Sequence, residues 1–221
     1  MKQTPILFST PMVQAILNGR KTQTRRVVKG TALEWLDRDG FVKEYVALPK
    51  NELCPYGNPG DFLWVREEFY QIGHWKEVPG VKTKTGKMKW KFVPDNGEIR
   101  YSDNRPETFR KGRHHKDPST SVWHKRLARF MPRSACRLFL KVTNIRVERL
   151  QDISTEDVRK EGAGQNVRQM SLYGLDAKGI REVYATHFSI LWTSINGEES
   201  WNSNPWVWVV SFERTDKPES F

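Results

Sequence analysis

Trp206-Val207-Trp208-Val209-Val210-Ser211-Phe212 is apolar on both of its alternating faces, the pattern of a strand buried in a closed or covered sheet rather than one that shows a face to water. Upstream of it, Cys136 to Leu150 alternates at Leu138, Leu140, Val142, Ile145 and Val147, which predicts a long strand or a bent pair of strands. Between the two, Ser154-Thr155-Glu156-Asp157 supplies a capping-box start for a helix in which Val158 points inward and Gly162, after Glu161, is the stop. Val183, Tyr184, Phe188, Leu191 and Trp192 recur at helical spacing and predict a second helix over Ile180 to Ile195. At the opposite end, Ile6-Leu7-Phe8 predicts a short strand. Thr10 and Pro11 then open a helix with Met12, Val13, Ile16 and Leu17 on one side, and Gly19 closes it. Asn58-Pro59-Gly60-Asp61 reads as a turn feeding the strand Phe62-Leu63-Trp64-Val65-Arg66. Strands at both ends with helices between them predict an α+β chain organised as a small β-barrel with flanking helices.

Composition narrows the partners. The 221 residues are 37% hydrophobic, enough to bury a core, and contain no internal repeat or low-complexity tract. A formal net charge of +11 and a pI near 9.7 favour an anionic partner, and with no lipid anchor or transmembrane run in view that partner is expected to be nucleic acid or a nucleotide. Cys54 and Cys136 lie far apart, with no second cysteine or histidine at ligand spacing, which argues against zinc and against a disulfide framework and for a reducing compartment. The apolar run Ile6-Leu7-Phe8 is broken by Ser9, Thr10 and Pro11, too short for a signal peptide. A cytoplasmic protein without metal or organic cofactor is expected.

The chemistry-bearing stretch is Gly19-Arg20-Lys21-Thr22-Gln23-Thr24-Arg25-Arg26. A hydroxyl nucleophile needs a base beside it, and a lysine serves as one when its pKa is depressed, which neighbouring cations promote. Lys21 and Thr24 are therefore a candidate reacting pair. The same cluster would bind a phosphodiester without any chemistry. Residues three apart on a strict strand face opposite ways, so the enzymatic reading requires a turn at Gly19 to Thr22. Residues 72–129 differ in character: from Ile72 to about His124 aromatics are interleaved with lysine, glycine and proline, and Arg105 to Arg129 is dense in cations, so the segment reads as a basic, aromatic insertion.

The ordered set of Gly19 to Arg26, Gly60-Asp61 leading into a strand, Ser154-Thr155-Glu156-Asp157 with Glu161-Gly162, and a final β-rich strand resembles the ASCH domain of the PUA-like superfamily. Within it the chain is similar to the small bacterial N4-acetylcytidine amidohydrolases, whose Gly-Arg-Lys-Thr-x-Thr segment supplies a lysine and a threonine and whose helix supplies a glutamate. Phe130-Met131-Pro132-Arg133-Ser134-Ala135-Cys136-Arg137 and Asn204-Pro205-Trp206-Val207-Trp208-Val209 resemble the longer ASCH proteins of phages and prophages. The resemblance covers residues 5–30, 58–70 and 130–213. It implies a PUA-like barrel in which Lys21, Thr24 and Glu161 hydrolyse the N4-acyl amide of an acylated cytosine or cytidine. Arg20, Arg25, Arg26, Trp64 and Arg66 would contact substrate, the arginines steadying the oxyanion and a tryptophan giving the base a platform. Glu161 would orient Lys21 or relay the proton to the leaving amine. A carboxylate touching Lys21 raises its pKa against the arginines, so on this reading Glu161 is partly protonated or acts mainly on substrate; in the rival mechanism Glu161 activates a water.

Each residue also has a structural reading. The cations of Gly19 to Arg26 fit a solvated face, Thr24 a strand position, Glu161 an exposed helix end, and Trp64, Trp206 and Trp208 the core. One rival function is a binding module for RNA or modified-base DNA, with Lys87, Lys89, Lys91, Arg110, Arg113, Lys125 and Arg126 holding the backbone. A second is a ribonuclease using His114 or His124. His114, His115 and His124 lack carboxylate or cysteine partners at ligand spacing, which favours phosphate contact or solvation over metal.

Overall fold

The computed structural model describes residues 1–38, 40–113, 116–164, 167, 175–219 and 221. The chain divides into two compact units. Met1–Ile6, Pro11–Val65 and Arg137–Phe221 form the first, and Leu7–Thr10 with Arg66–Cys136 form the second. The expected insertion, residues 72–129, lies within the second unit. Among the described residues no helix is long and apolar enough to cross a membrane.

The first unit carries a five-stranded sheet in the order β1-β3-β8-β9-β2, with β1 at Gln3–Leu7, β2 at Gln23–Val27, β3 at Phe62–Arg66, β8 at Phe139–Arg149 and β9 at Trp206–Thr215. β1 and β2 are its edges, and no closed barrel is present among the described residues, so the α+β class stands and the expected barrel is corrected to an open sheet. β9 explains the difference. It lies between β8 and β2, antiparallel to both. Val207 and Val209 pack with Leu150, Ile153, Val158, Phe188 and Trp192, while Trp208, Val210 and Phe212 are buried as well. An inner strand covered on both sides has the same unbroken apolar pattern as a barrel strand. β8 is one strand with a register shift between Val142 and Asn144, where the alternation slips.

The helices of this unit follow their end signals. α1 runs Thr10–Leu17 and buries Val13, Ala15 and Ile16. α4, Thr155–Lys160, is capped by Ser154, whose hydroxyl accepts from the Asp157 amide, and it ends at Glu161 before Gly162, which has φ +79°. α5 runs Ala177–Asn196, three residues earlier than the apolar spacing predicts, because Asp176 caps it by accepting from the Gly179 amide. Two short helices, α2 at Thr31–Asp37 and α3 at Lys43–Val46, were not anticipated. Their signal is slight: Ala32 and Leu36, four apart, are what α2 buries. A further short helix, α6 (Glu198–Asn202), precedes β9.

The second unit is a four-stranded sheet in the order β5-β4-β7-β6, with β4 at Phe69–Lys82, β5 at Met88–Arg100, β6 at Arg110–Lys111 and β7 at Val122–Arg126. β4 pairs antiparallel with both β5 and β7, and β6 pairs parallel with β7. Its small core gathers Phe69, Met131 and Ala135, flanked by Ile99 and Tyr101.

Candidate active site

Lys21 is set by the way the chain leaves α1. Gly19 has φ +68°, and the amides of Arg20 and Lys21 both reach the Ala15 carbonyl, at 2.8 and 3.1 Å. The Thr22 amide then donates to the Lys160 carbonyl at 2.8 Å, at the end of α4. β2 begins only at Gln23, so the turn that the enzymatic reading requires is present and strand alternation does not separate Lys21 from Thr24. Lys21 is 1% exposed. Its Nζ donates to Glu161 Oε2 at 2.6 Å and to the Glu161 carbonyl at 3.0 Å, 140 residues away in sequence. Gly162 makes room for this contact, since a Cβ there would lie 3.2 Å from both Lys21 Cβ and Ala15 Cβ.

The pKa of Lys21 lies below the ordinary lysine value. Burial is the largest cause; the charge and hydrogen bond of Glu161 oppose it, and Arg26 and Arg25 add smaller depressions. The tension between Glu161 and the arginines is thus decided by desolvation.

Arg25 is committed to carboxylates. Nη1 donates to Gln23 Oε1 at 2.8 Å and to Glu161 Oε1 at 3.1 Å, and Nη2 donates to Glu148 Oε1 and to Asp157 Oδ2. Arg146 joins Glu148 and Asp157 from the other side, at 3.0 and 2.8 Å. Burial pushes the Asp157 carboxyl up, but Arg146 and Arg25 outweigh it and hold the group below its usual range. Both terminal nitrogens of Arg25, a residue expected to contact substrate, are thus bonded to Gln23, Glu161, Glu148 and Asp157. Its buried Nε has no hydrogen-bond partner among the described residues. Gln23, Arg146, Glu148 and Asp157 surround the candidate site through Arg25, and the sequence reading did not place them there. Arg146 and Glu148 are two apart on β8 and so share a face, but nothing local marks that face as lying over Arg25.

Thr24, Arg25, Arg26 and Glu161 form the polar side of a cavity of about 20 Å³, enough for one water-sized group. Met12, Phe188, Leu191 and Trp192 form its apolar side. In β2 the partner of Thr24 is Val210 and that of Arg25 is Val209, so the two side chains leave opposite faces of the sheet. Both residues border the small cavity. A second cleft, of about 490 Å³, is lined by Arg26, Lys29, Leu53, Tyr56, Asn196 and Trp208 and shares Arg26 and Asn196 with the first. Burial lowers the pKa of Arg26 and raises that of Tyr56. No carboxylate lines this cleft among the described residues.

The remaining expected site residues fall elsewhere. Arg20 is exposed. Trp64 is a buried residue of β3, edge-on to Phe221, and Trp208 rather than Trp64 is the tryptophan that lines the cleft. Arg66 belongs to the second unit, where it donates to the Arg129 carbonyl. Lys87, Lys89 and Lys91 are exposed around the start of β5. Arg110 pairs with Asp117, Lys125 with Glu68, and Arg113 and Arg126 stack on Trp90 and Phe92. His124 is buried and its pKa is lowered, chiefly by burial, which removes it from the solvent-facing role expected of it. His114 and His115 lie outside the described residues. Among the described residues no three metal-ligating side chains cluster, and Cys54 and Cys136 form no disulfide. Burial raises the Cys54 thiol to about 11.

Comparison with protein-family models, with curated proteins and with solved structures gave no match for this chain.

Proposed function

We propose that the chain is an amidohydrolase that cleaves the N4-acyl amide of an acylated cytosine nucleoside or nucleotide, as its resemblance to the ASCH amidohydrolases implies. The observation that carries this reading is a lysine buried to 1% exposure, with a depressed pKa, 2.6 Å from a carboxylate that lines the same cavity as Thr24. A depressed pKa enlarges the neutral, basic fraction of Lys21 near neutral pH. In the proposed reaction the Thr24 hydroxyl attacks the acyl carbon and its proton passes to Lys21. The tetrahedral oxyanion is met by Arg26, with Arg25, held to its carboxylates, contributing only its charge, and the bond to cytosine N4 breaks as a proton returns to that nitrogen. Water then hydrolyses the threonyl ester and releases the carboxylate. The nucleoside would occupy the 490 Å³ cleft, with Trp208 and Tyr56 beside the base, and present its amide past Arg26 and Asn196 to the small cavity.

A second mechanism has its own support. The cavity beside Thr24 and Glu161 holds about one water, and a water activated by Glu161 would need no acyl-enzyme. The test is release of acetate from N4-acetylcytidine by the purified chain, with Lys21→Met, Thr24→Ala and Glu161→Gln compared. The proposal expects turnover by the parent and at least a hundredfold loss in the Lys21 and Glu161 variants. No turnover across formyl, acetyl and longer N4-acyl substrates would remove the hydrolase reading. Hydroxylamine trapping on Thr24 separates the two nucleophiles.

A further inference from the structure

The charge of this chain is unequally divided. Residues 7–10 and 66–136 carry 17 Lys and Arg against 8 Asp and Glu, a net +9, whereas the unit holding Lys21 and Glu161 carries 20 against 18, a net +2. The electrostatic argument for a polyanionic partner therefore belongs to the second unit, not to the surroundings of the candidate active site.

Within that unit three exposed lysines lie along one edge of the sheet. β5 is an outer strand of its sheet, and its first half reads Met88-Lys89-Trp90-Lys91-Phe92. Alternation sends Lys89 and Lys91 to one face and Trp90 and Phe92 to the other, with residues on the same side about 6.8 Å apart. Lys87 precedes them, and all three lysines are exposed. On the aromatic side the Arg113 guanidinium lies 4.4 Å from the Trp90 ring and that of Arg126 lies 4.1 Å from the Phe92 ring. Trp75, directly opposite Phe92 on β4, meets it edge-on at 5.6 Å. At an interior strand these two rows would be separated by the sheet; at an edge, one linear ligand reaches both.

We propose that the β5 edge of the second unit binds a single-stranded polynucleotide, with phosphates on Lys87, Lys89 and Lys91 and bases stacked against Trp90 and Phe92. Phosphate contacts supply affinity without sequence choice, and aromatic faces accept any unpaired base. A duplex is excluded as the intended partner, because its bases are stacked on each other and unavailable to the rings. Lysines on an edge strand also discourage strand-to-strand association, but that purpose requires no alternating row of arginine-backed aromatics. This inference is independent of the hydrolase reading.

The test uses the full chain and a fluorescein-labelled 12-residue oligouridine, read by anisotropy at several salt concentrations, with a deoxy 12-mer, a 12-base-pair duplex and a heparin fragment as comparisons. Both single strands should bind, and the duplex should bind at least tenfold more weakly. Replacing Lys87, Lys89 and Lys91 together by glutamine should reduce the slope of log affinity against log salt by about 2, from about 0.7 per phosphate contact on a single strand. Trp90→Ala should weaken binding by about 5- to 100-fold with the salt slope unchanged. Circular dichroism of each variant confirms that the sheet is intact, and the lysine variant, altered only at exposed positions, keeps the test open if Trp90→Ala misfolds. Equal affinity for the duplex, displacement by heparin that is identical for the parent and Trp90→Ala, or an unchanged salt slope in the lysine variant overturns the proposal.

Discussion

Replacing Lys21 by methionine keeps the stem of the side chain and removes the ammonium, so that Glu161 Oε2 loses its donor at 2.6 Å while Glu161 itself stays buried. Removing one member of a buried ion pair costs about 3–5 kcal/mol. Here Glu161 Oε1 keeps its contact with Arg25 at 3.1 Å, which places the expected cost at the lower end, about 3 kcal/mol. For a chain of this size each kcal/mol moves Tm by about 2–4 °C, so Lys21→Met should melt about 6–12 °C below the parent by scanning calorimetry. The sign with pH is fixed by the direction of the Lys21 shift. Between the depressed folded value and the ordinary lysine value the unfolded chain binds a proton that the folded chain does not, so the parent's stability rises with pH through that window. The stability of the methionine variant lacks this rise. Combining Lys21→Met with Glu161→Gln should cost less than the two single changes together, by a coupling of about 1–3 kcal/mol. A Tm change below about 2 °C, or strict additivity in the double variant, would refute the buried pair.

If neutral Lys21 is the base, kcat/KM for N4-acetylcytidine should rise with pH to a plateau whose midpoint lies below the ordinary lysine range, because burial lowers the Lys21 pKa more than Glu161 raises it; a profile flat from pH 6 to 10 would exclude that role. Gly162→Ala should destabilise by about 1–3 kcal/mol, since φ is +79° and the new Cβ meets Ala15 and Lys21 at 3.2 Å. Activity should fall further than urea-measured stability, because the displaced backbone carries the Lys21 contact. Arg25→Leu should cost about 3–5 kcal/mol by urea titration, because Glu161, Glu148 and Asp157 all lose a shared cation. Arg25→Lys should recover only part of this, since one ammonium cannot serve three carboxylates as the planar fork does.

What the sequence made legible is local. Ser154 and Gly162 mark both ends of α4 because capping and left-handed termination depend on a few adjacent residues. The turn from Gly19 to Thr22 entered only as a condition of the enzymatic reading, with Gly19 as its one local signal. The contact between Lys21 and Glu161 was reached through resemblance alone, since no periodicity connects residues 140 apart. The ring of Gln23, Glu148, Asp157 and Arg146 around Arg25 was not legible at all: each is an ordinary polar residue of its own segment, and only the stacking of α4 against β2 and β8 makes them neighbours. The strands of the second unit were hidden for a different reason. Lys89-Trp90-Lys91-Phe92 alternates perfectly, but Pro79, Gly80, Gly86, Pro94 and Gly97 interrupt the surrounding pattern and read as loop.

Two physical quantities were beyond any reading of one-dimensional pattern, and both bear on function. The first is desolvation: neighbouring arginines suggest a lowered lysine pKa, yet it is burial that lowers it most, with the arginines the smallest of the causes. The second is which strands are edges. β2 is an edge of its sheet, and its adjacent residues Thr24 and Arg25 border the same space as Glu161. The unbroken apolar pattern of β9 is the same for an inner strand of an open sheet and for a barrel strand, so it could not tell that β2 is an edge.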